Sequence, residues 1–268
     1  MYNITAGMTD GFTESVKNPM KQYYSPTGMT ISSALSSSNL NMFNDCVYQA
    51  YLDAKRKFGG INLISPEQKK TCFANLAEKI RDYLNDKPYY SEAKFDAWHE
   101  KLCREFVQDF NHFGYTKVSI GMAQKVINLS FKYLYCCNDG ATKYKDHFKY
   151  CHLTLDDYVL SWYTRAVDPK NKVLKWSPLN DYPTYIAIQR ATRKYLSVST
   201  WSSLCKTVLE LEFYIFPDEF IVQNLISLRR AINSYSNCIH KNHEINTLFK
   251  TPLDPASTDT IIDFINNF

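Results

Sequence analysis

SIGMAQKVINLSFKYLY, residues 119–135, is the stretch on which the reading of the fold turns. On a helical wheel Met122, Val126, Leu129 and Tyr133 share one face, with Ile127 and Leu134 beside it. That spacing predicts a helix from about Gly121 to Tyr135. Lys125, Asn128 and Lys132 fall on a polar strip, which periodicity alone reads as a solvated face. Lys125 is then either a surface lysine or an amine held at the mouth of a pocket. A nucleophilic lysine needs its pKa lowered from about 10.4 by burial or by a neighbouring cation. Its place on the wheel decides neither.

The flanking segments follow the same period. A helix is expected over 41–58, closed by Gly59 and Gly60, and a second from Pro66, with Ser65 as its N-cap. The second carries Phe73, Leu76, Ala77, Ile80 and Leu84 at core spacing. A third runs from Ser91 to about His112 with Phe95, Trp98, Leu102, Phe106 and Phe110 as its stripe, ended by Gly114. After residue 135 a polar, lysine-bearing loop is expected over 138–152. Further helices follow near 154–166, within 177–196 with Pro183 near the start, over 201–216, over 218–235, and in a short C-terminal piece. Few glycines and no convincing strand make the chain all-α, and 268 residues suffice for a large core. Residues 1–39 are polar and Ser-rich and read as a tail or wrap. Residues 40–268 form the helical domain, with 40–114 and 115–268 as candidate lobes around a cleft.

No apolar run approaches the roughly 18 residues that span a bilayer, and the N-terminus lacks a signal-peptide pattern. The expectation is a cytoplasmic protein without membrane attachment, read as a monomer. The eight cysteines are mostly single and read as free, buried thiols. Cys136, Cys137, Cys151 and His152 have metal-ligating side chains, but adjacent cysteines chelate a tetrahedral ion poorly, and no metal or cofactor is expected. A net charge of +4 permits a local nucleic-acid patch without requiring one.

Two further motifs bear on chemistry. In LTLDDYVL, Thr154 and Asp157 read as a capping-box-like pair, leaving Asp156 as a surplus acid in the first turn. In LELEFYIF, Glu212 and Phe216 stand one helical turn apart, suited either to a core or to hydrogen-bonding and stacking on a purine.

In combination the motifs GMAQK, LDDY and LELEFYIF resemble the helix-hairpin-helix DNA glycosylases, above all the archaeal 8-oxoguanine glycosylase branch. In that branch a VGxxxxQK segment opens the second hairpin helix and its lysine is the nucleophile. Here Gly121, Gln124 and Lys125 keep that order with two fewer residues between Gly and Gln. The branch's P-V-D-Y helix start, whose Asp is catalytic, is matched by LDDY, and its L-x-L-D-x-x-L-W helix by Leu209–Phe216.

The resemblance spans residues 115–217. It implies a DNA glycosylase with a Schiff-base β-lyase step, flipping out an oxidised purine or a hypermodified phage base. Lys125 would be the nucleophile and Asp156 the catalytic acid, while Gln124, Glu212 and Phe216 would contact the base. The chain departs from the branch in lacking the LPGVG hairpin glycines, in Glu212 for Asp and Phe216 for Trp, and in the Asp156–Asp157 doublet. Lys143, Lys145, Lys149, Arg190 and Arg193, interleaved with tyrosines, read either as solvated cations or as DNA-backbone contacts.

Two other readings stand beside this one. The first is a non-catalytic helical module binding nucleic acid or protein, for instance in phage defence. The second is a helical ribonuclease using His112, His147, His152, His240 or His243; it is weakened by spacing, since Arg230 precedes His240 by ten residues.

Overall fold

The structure, a computed structural model, describes residues 30–37, 40–170 and 174–216, with 219, 222, 223 and 226 beyond them. Among these residues there is no strand. The expected helices over 218–235 and at the C-terminus lie outside the continuously described residues. The chain divides into two compact units, Met1–Ile215 and Phe216–Phe268. The candidate lobe boundary at 114/115 therefore falls inside the first unit.

The order of the helices is α1 (Ile31–Ser36), α2 (Asn41–Ala54), α3 (Pro66–Asn85), α4 (Glu92–His112), α5 (Ile120–Tyr135), α6 (Gly140–Lys143), α7 (Lys145–Phe148), α8 (Asp157–Ala166) and α9 (Tyr182–Val198). Helix α10 follows over 208–216. Local chemistry sets most of the starts. Ser65 and Gln68 form a capping box with Pro66 at the first turn of α3. Ser91, Ser119 and Asp181 cap α4, α5 and α9 with their side-chain oxygens. Gly114, at φ 82°, takes the left-handed conformation that ends α4.

Three expectations are corrected. The stretch 1–39 is not wholly irregular: α1 lies within it, and the Asp139 carboxylate accepts hydrogen bonds from Ile31 N at 2.7 Å and Ser32 N at 3.0 Å. The segment 138–152 is not a single loop but contains α6 and α7. The run 201–216 is not one helix. A 3₁₀ turn at Thr200–Ser203 precedes a separate start, where Glu210 N donates to Thr207 Oγ1 and Thr207 N to Glu210 Oε2. That capping box is written in the sequence as TVLE.

Helix α5 is the centre of the first unit. Helix α2 packs along it most extensively, and α4 lies against both α5 and α3. The Tyr133 hydroxyl donates to Asp53, and the Cys46 thiol meets that of Cys137, so α2 and α5 run antiparallel. Fifteen of the sixteen residues of α5 are buried; Lys125 is the exception. The polar strip is therefore not a solvated face, because Asn128 and Lys132 point inward along with Gln124 and Ser130.

A polar network fills the space between α4, α5 and α9. His99 Nε2 donates to Asn128 Oδ1 at 2.9 Å, and Asn128 Nδ2 donates to the Tyr185 hydroxyl at 2.9 Å. That hydroxyl donates to His152 Nδ1 at 2.8 Å, and His152 Nε2 donates to Asp96 Oδ1 at 3.0 Å. Arg193 closes the chain on Asp96 at 2.8 Å. Burial holds the His99 imidazole well below its usual range and brings His152 down to about 4, against the pull of Asp96. Burial pushes the Asp96 carboxyl up, but the His152 hydrogen bond and the Arg193 guanidinium outweigh it and keep it ionised.

Among the described residues no helix is long and apolar enough to cross a membrane. The seven described cysteines are free and buried. No group of three His, Cys, Asp or Glu among the described residues is placed to hold a metal; His152 is occupied by Asp96 and Tyr185.

The two histidines make stability pH-dependent. Each is neutral when folded and ordinary when unfolded, so the unfolded chain binds more protons below about pH 6.5. Stability is full above that pH and falls as the pH drops toward about 4, the folded value of His152. His152 alone should contribute a loss on the order of 2 kcal/mol between pH 7.5 and pH 5. Urea midpoints at the two pH values measure it, and an unchanged midpoint would contradict the buried neutral pair.

Candidate active site

Residues 151–156 join α7 to α8 as irregular, buried backbone. Such a segment has to find partners for its N–H and C=O groups without a helix or sheet. Side chains supply them. Gln189 accepts from Leu153 N at 3.2 Å and donates to Leu153 O at 2.9 Å. Asn128 also donates to Leu153 O at 3.1 Å. Glu212 Oε2 accepts from Thr154 N at 2.6 Å. Gln124 takes Leu155 from both sides, accepting from its N–H at 3.1 Å and donating to its carbonyl at 2.9 Å. A small set of amides and one carboxylate thus does for this segment what a neighbouring strand would do.

The next residue along is Asp156. Its Oδ1 caps α8, accepting from Tyr158 N and Val159 N at 3.0 Å each. The cap is therefore Asp156 and not Thr154, whose hydroxyl is buried without a hydrogen-bond partner. Asp157 is exposed in the first turn. The other carboxylate oxygen, Oδ2, lies 3.3 Å from Lys125 Nζ, and both side chains are 12% exposed. One oxygen of Asp156 is thus fixed by the helix while the other faces the amine.

An indole forms the third wall. Lys125 Nζ sits 4.6 Å from the centre of the Trp176 ring, within cation–π range. Trp176 belongs to the loop 174–180, which is strapped to the start of α5. Gly121 N donates to Leu179 O at 2.7 Å, and the Ser119 hydroxyl donates to Ser177 O. A Cβ on Gly121 would fall 1.7 Å from the Trp176 carbonyl oxygen, so only glycine admits the strap. The indole N–H of Trp176 is buried with no acceptor. No local pattern marks Trp176 in the sequence; the trace it leaves is a glycine at the start of a helix in a chain with few of them.

The other residues singled out in the sequence lie elsewhere. Gln124 is buried, and besides Leu155 it binds Gly121 O and Asn128, so its amide is fully engaged. Glu212 is paired with Lys132 at 2.9 Å, both almost fully buried, and its second oxygen holds Thr154. Phe216 opens the second unit and is 37% exposed.

The expected DNA-backbone cations divide into two groups. Lys143, Lys145 and Lys149 are exposed, Lys143 donating to Ser32 at 2.8 Å and Lys149 lying over the Tyr150 ring. Arg193 is inward, bound to Asp96 and to Tyr150 O, and the exposed Arg190 lies 3.6 Å from Asp96.

An amine, a carboxylate oxygen and a ring face, only slightly open on an otherwise buried helix, can hold an electron-poor carbon. With the carboxylate as proton acceptor they can also present a nucleophilic nitrogen.

Gln124→Leu keeps the helix and the volume but strips both partners from Leu155. At about 1–3 kcal/mol per buried polar group left unmade, the substitution should lower unfolding free energy by roughly 2–6 kcal/mol. Chemical denaturation checks this; a change within about 0.5 kcal/mol, the usual range of surface substitutions, would contradict the tether. Comparisons of the chain with protein-family models, with curated proteins and with solved structures found no match.

Proposed function

We propose that the protein is a DNA glycosylase with Schiff-base lyase chemistry, acting on a base flipped out of the helix. The observation that carries this reading is the Lys125–Asp156 pair, 3.3 Å apart and at the edge of the core. A scaffold gains little from such a pair, since a lone partly buried ion pair is weak support for stability. A nucleophile with a fixed acid beside it is what glycosidic-bond cleavage needs.

The steps follow from those atoms. Lys125 first gives up its ammonium proton to solvent; as the neutral amine it attacks the sugar C1′ as the bond to the base breaks and the departing base takes the bond's electron pair. Asp156 Oδ2 stabilises the positive charge that grows on the sugar and accepts the proton that the amine gives up on forming its new bond. Ring opening of the aminal gives an iminium, which permits β-elimination of the 3′ phosphate. In this reading Gln124 and Glu212 position the segment that carries Asp156, because their polar atoms are already engaged inside the protein. The choice between an oxidised purine and a hypermodified base then rests on other groups around Lys125.

That engagement of Gln124 and Glu212 also favours a second reading, a binding module that keeps the fold without base recognition. Borohydride trapping separates the two. Duplex and single-stranded oligonucleotides carrying 8-oxoguanine, other modified bases or an abasic site should give a covalent adduct with the native protein and none with Lys125→Gln. Asp156→Asn keeps a good cap for α8 and should slow trapping by about 10²-fold or more. Neither trapping nor base release on any substrate would overturn the glycosylase and leave the binding module.

A further inference from the structure

Helix α2 ends in a 3₁₀ turn, Lys55–Lys57, whose three residues are all cationic and all exposed. Phe58, buried against Tyr51 and Phe110 with ring centres 5.4 and 6.2 Å away, anchors the turn from beneath. Gly60 at φ 80° then redirects the chain. The α4–α5 hairpin docks on the same spot, its Tyr115 hydroxyl donating to Gly59 O at 3.1 Å. Lys117, also exposed, brings its ammonium to 3.4 Å from where a side chain on Gly60 would begin.

Four cations therefore share one rigid surface. None of them forms an ion pair among the described residues. The acid one turn back, Asp53, is taken up by Tyr133 and by Gln49. Like charges gathered without counter-ions repel one another and are relieved by an anionic partner.

Trp176 fixes where this surface lies relative to the chemistry. Lys57 Nζ is 5.7 Å from the centre of that ring and Lys125 Nζ is 4.6 Å from it. The two ammonium groups are thus separated by no more than the sum of those distances, with the indole as their common wall. By contrast, Arg193 and Lys143 already have protein partners.

We propose that Lys55, Arg56, Lys57 and Lys117 form the phosphodiester-binding surface of the protein, gripping the strand next to the nucleotide presented to Lys125. The ligand class is the sugar–phosphate backbone of a nucleic acid, held without regard to sequence. The ridge supplies side-chain cations at a hairpin that lacks the backbone glycines expected for phosphate binding. The assignment rests on the glycosylase reading for the identity of the strand, but its own evidence is the charge and its position.

The test is the salt dependence of binding by the full-length protein to a labelled abasic-site duplex, read by fluorescence anisotropy. The native protein is compared with the Lys55→Gln, Arg56→Gln, Lys57→Gln triple variant and with Lys94→Gln, an exposed lysine near the start of α4. The replaced side chains are exposed, and matching melting curves establish that the fold is kept. Each phosphate contact adds about 0.9 to the slope of log K against log salt on duplex DNA. The triple variant should therefore lose about two units of slope or more, and bind at least about tenfold more weakly at moderate salt, while Lys94→Gln stays near the native protein.

An unchanged slope in the triple variant overturns the assignment, and the glycosylase survives if the native protein still traps under borohydride. A lost slope with no trapping on any substrate upholds the surface and overturns the glycosylase. No binding by the native protein overturns the surface outright.

Discussion

Helix α5 carries three polar side chains, Gln124, Asn128 and Lys132, at four-residue intervals, and all three are inside the protein. A buried amide or ammonium without partners costs several kcal/mol, so this row constrains everything packed on it. Its answer is the irregular segment 153–155, reached directly by Gln124 and Asn128 and, for Lys132, through Glu212. The demand is mutual. The segment has no strand to pair with and the helix has no solvent for its polar row, so each satisfies the other. The position of Asp156 follows from that match.

The arrangement gives the protein two ion pairs of different character. Lys132–Glu212 is enclosed, and its second oxygen is a structural acceptor, so it holds α5, the segment and α10 together. Removing either partner would strand a charge in the core, a loss of about 3–5 kcal/mol. Lys125–Asp156 lies about two turns nearer the helix start, beneath an indole and partly open. The same segment thus ends in an acid whose one oxygen is locked by α8 and whose other faces outward to the amine. Rigidity behind the pair and access in front of it are the two things a reactive lysine requires. The cationic turn at Lys55–Lys57 adds a third, a means of bringing an anionic strand to that opening.

Signals carried by neighbouring residues were legible in the sequence. Ser65 with Pro66, Ser91, Gly114 and Pro183 mark helix ends because capping and left-handed turns act over three or four residues. The apolar stripes of α3 and α4 were legible for the same reason. The wheel of α5 misled because it assigns polar residues to water by default, and the partners of Asn128 and Lys132 stand 25 to 80 residues away. The cap of α8 was misassigned to Thr154 because both Thr154 and Asp156 suit the role. What decides is the hold of distant Gln124, Gln189 and Glu212 on the backbone between them. The pairing of Lys125 with Asp156 entered through a resemblance in order and spacing, and their geometry was beyond any local rule. Trp176 and the cationic turn were not legible at all, since a ring shared by Lys57 and Lys125 exists only after the loop 174–180 has docked on Gly121.

Segment 153–155, irregular as it is, is held by its side-chain partners as firmly as the helix beneath it. Amide hydrogen exchange at Leu153, Thr154 and Leu155, compared with the middle of α5, measures this directly, because each of those N–H groups donates to a side chain and not to a ladder. Protection within about tenfold of α5, roughly 1.4 kcal/mol in opening free energy, is the predicted result. Exchange at the rate of exposed loops would mean that the side-chain tethers do not hold, and that nothing fixed places Asp156 beside Lys125.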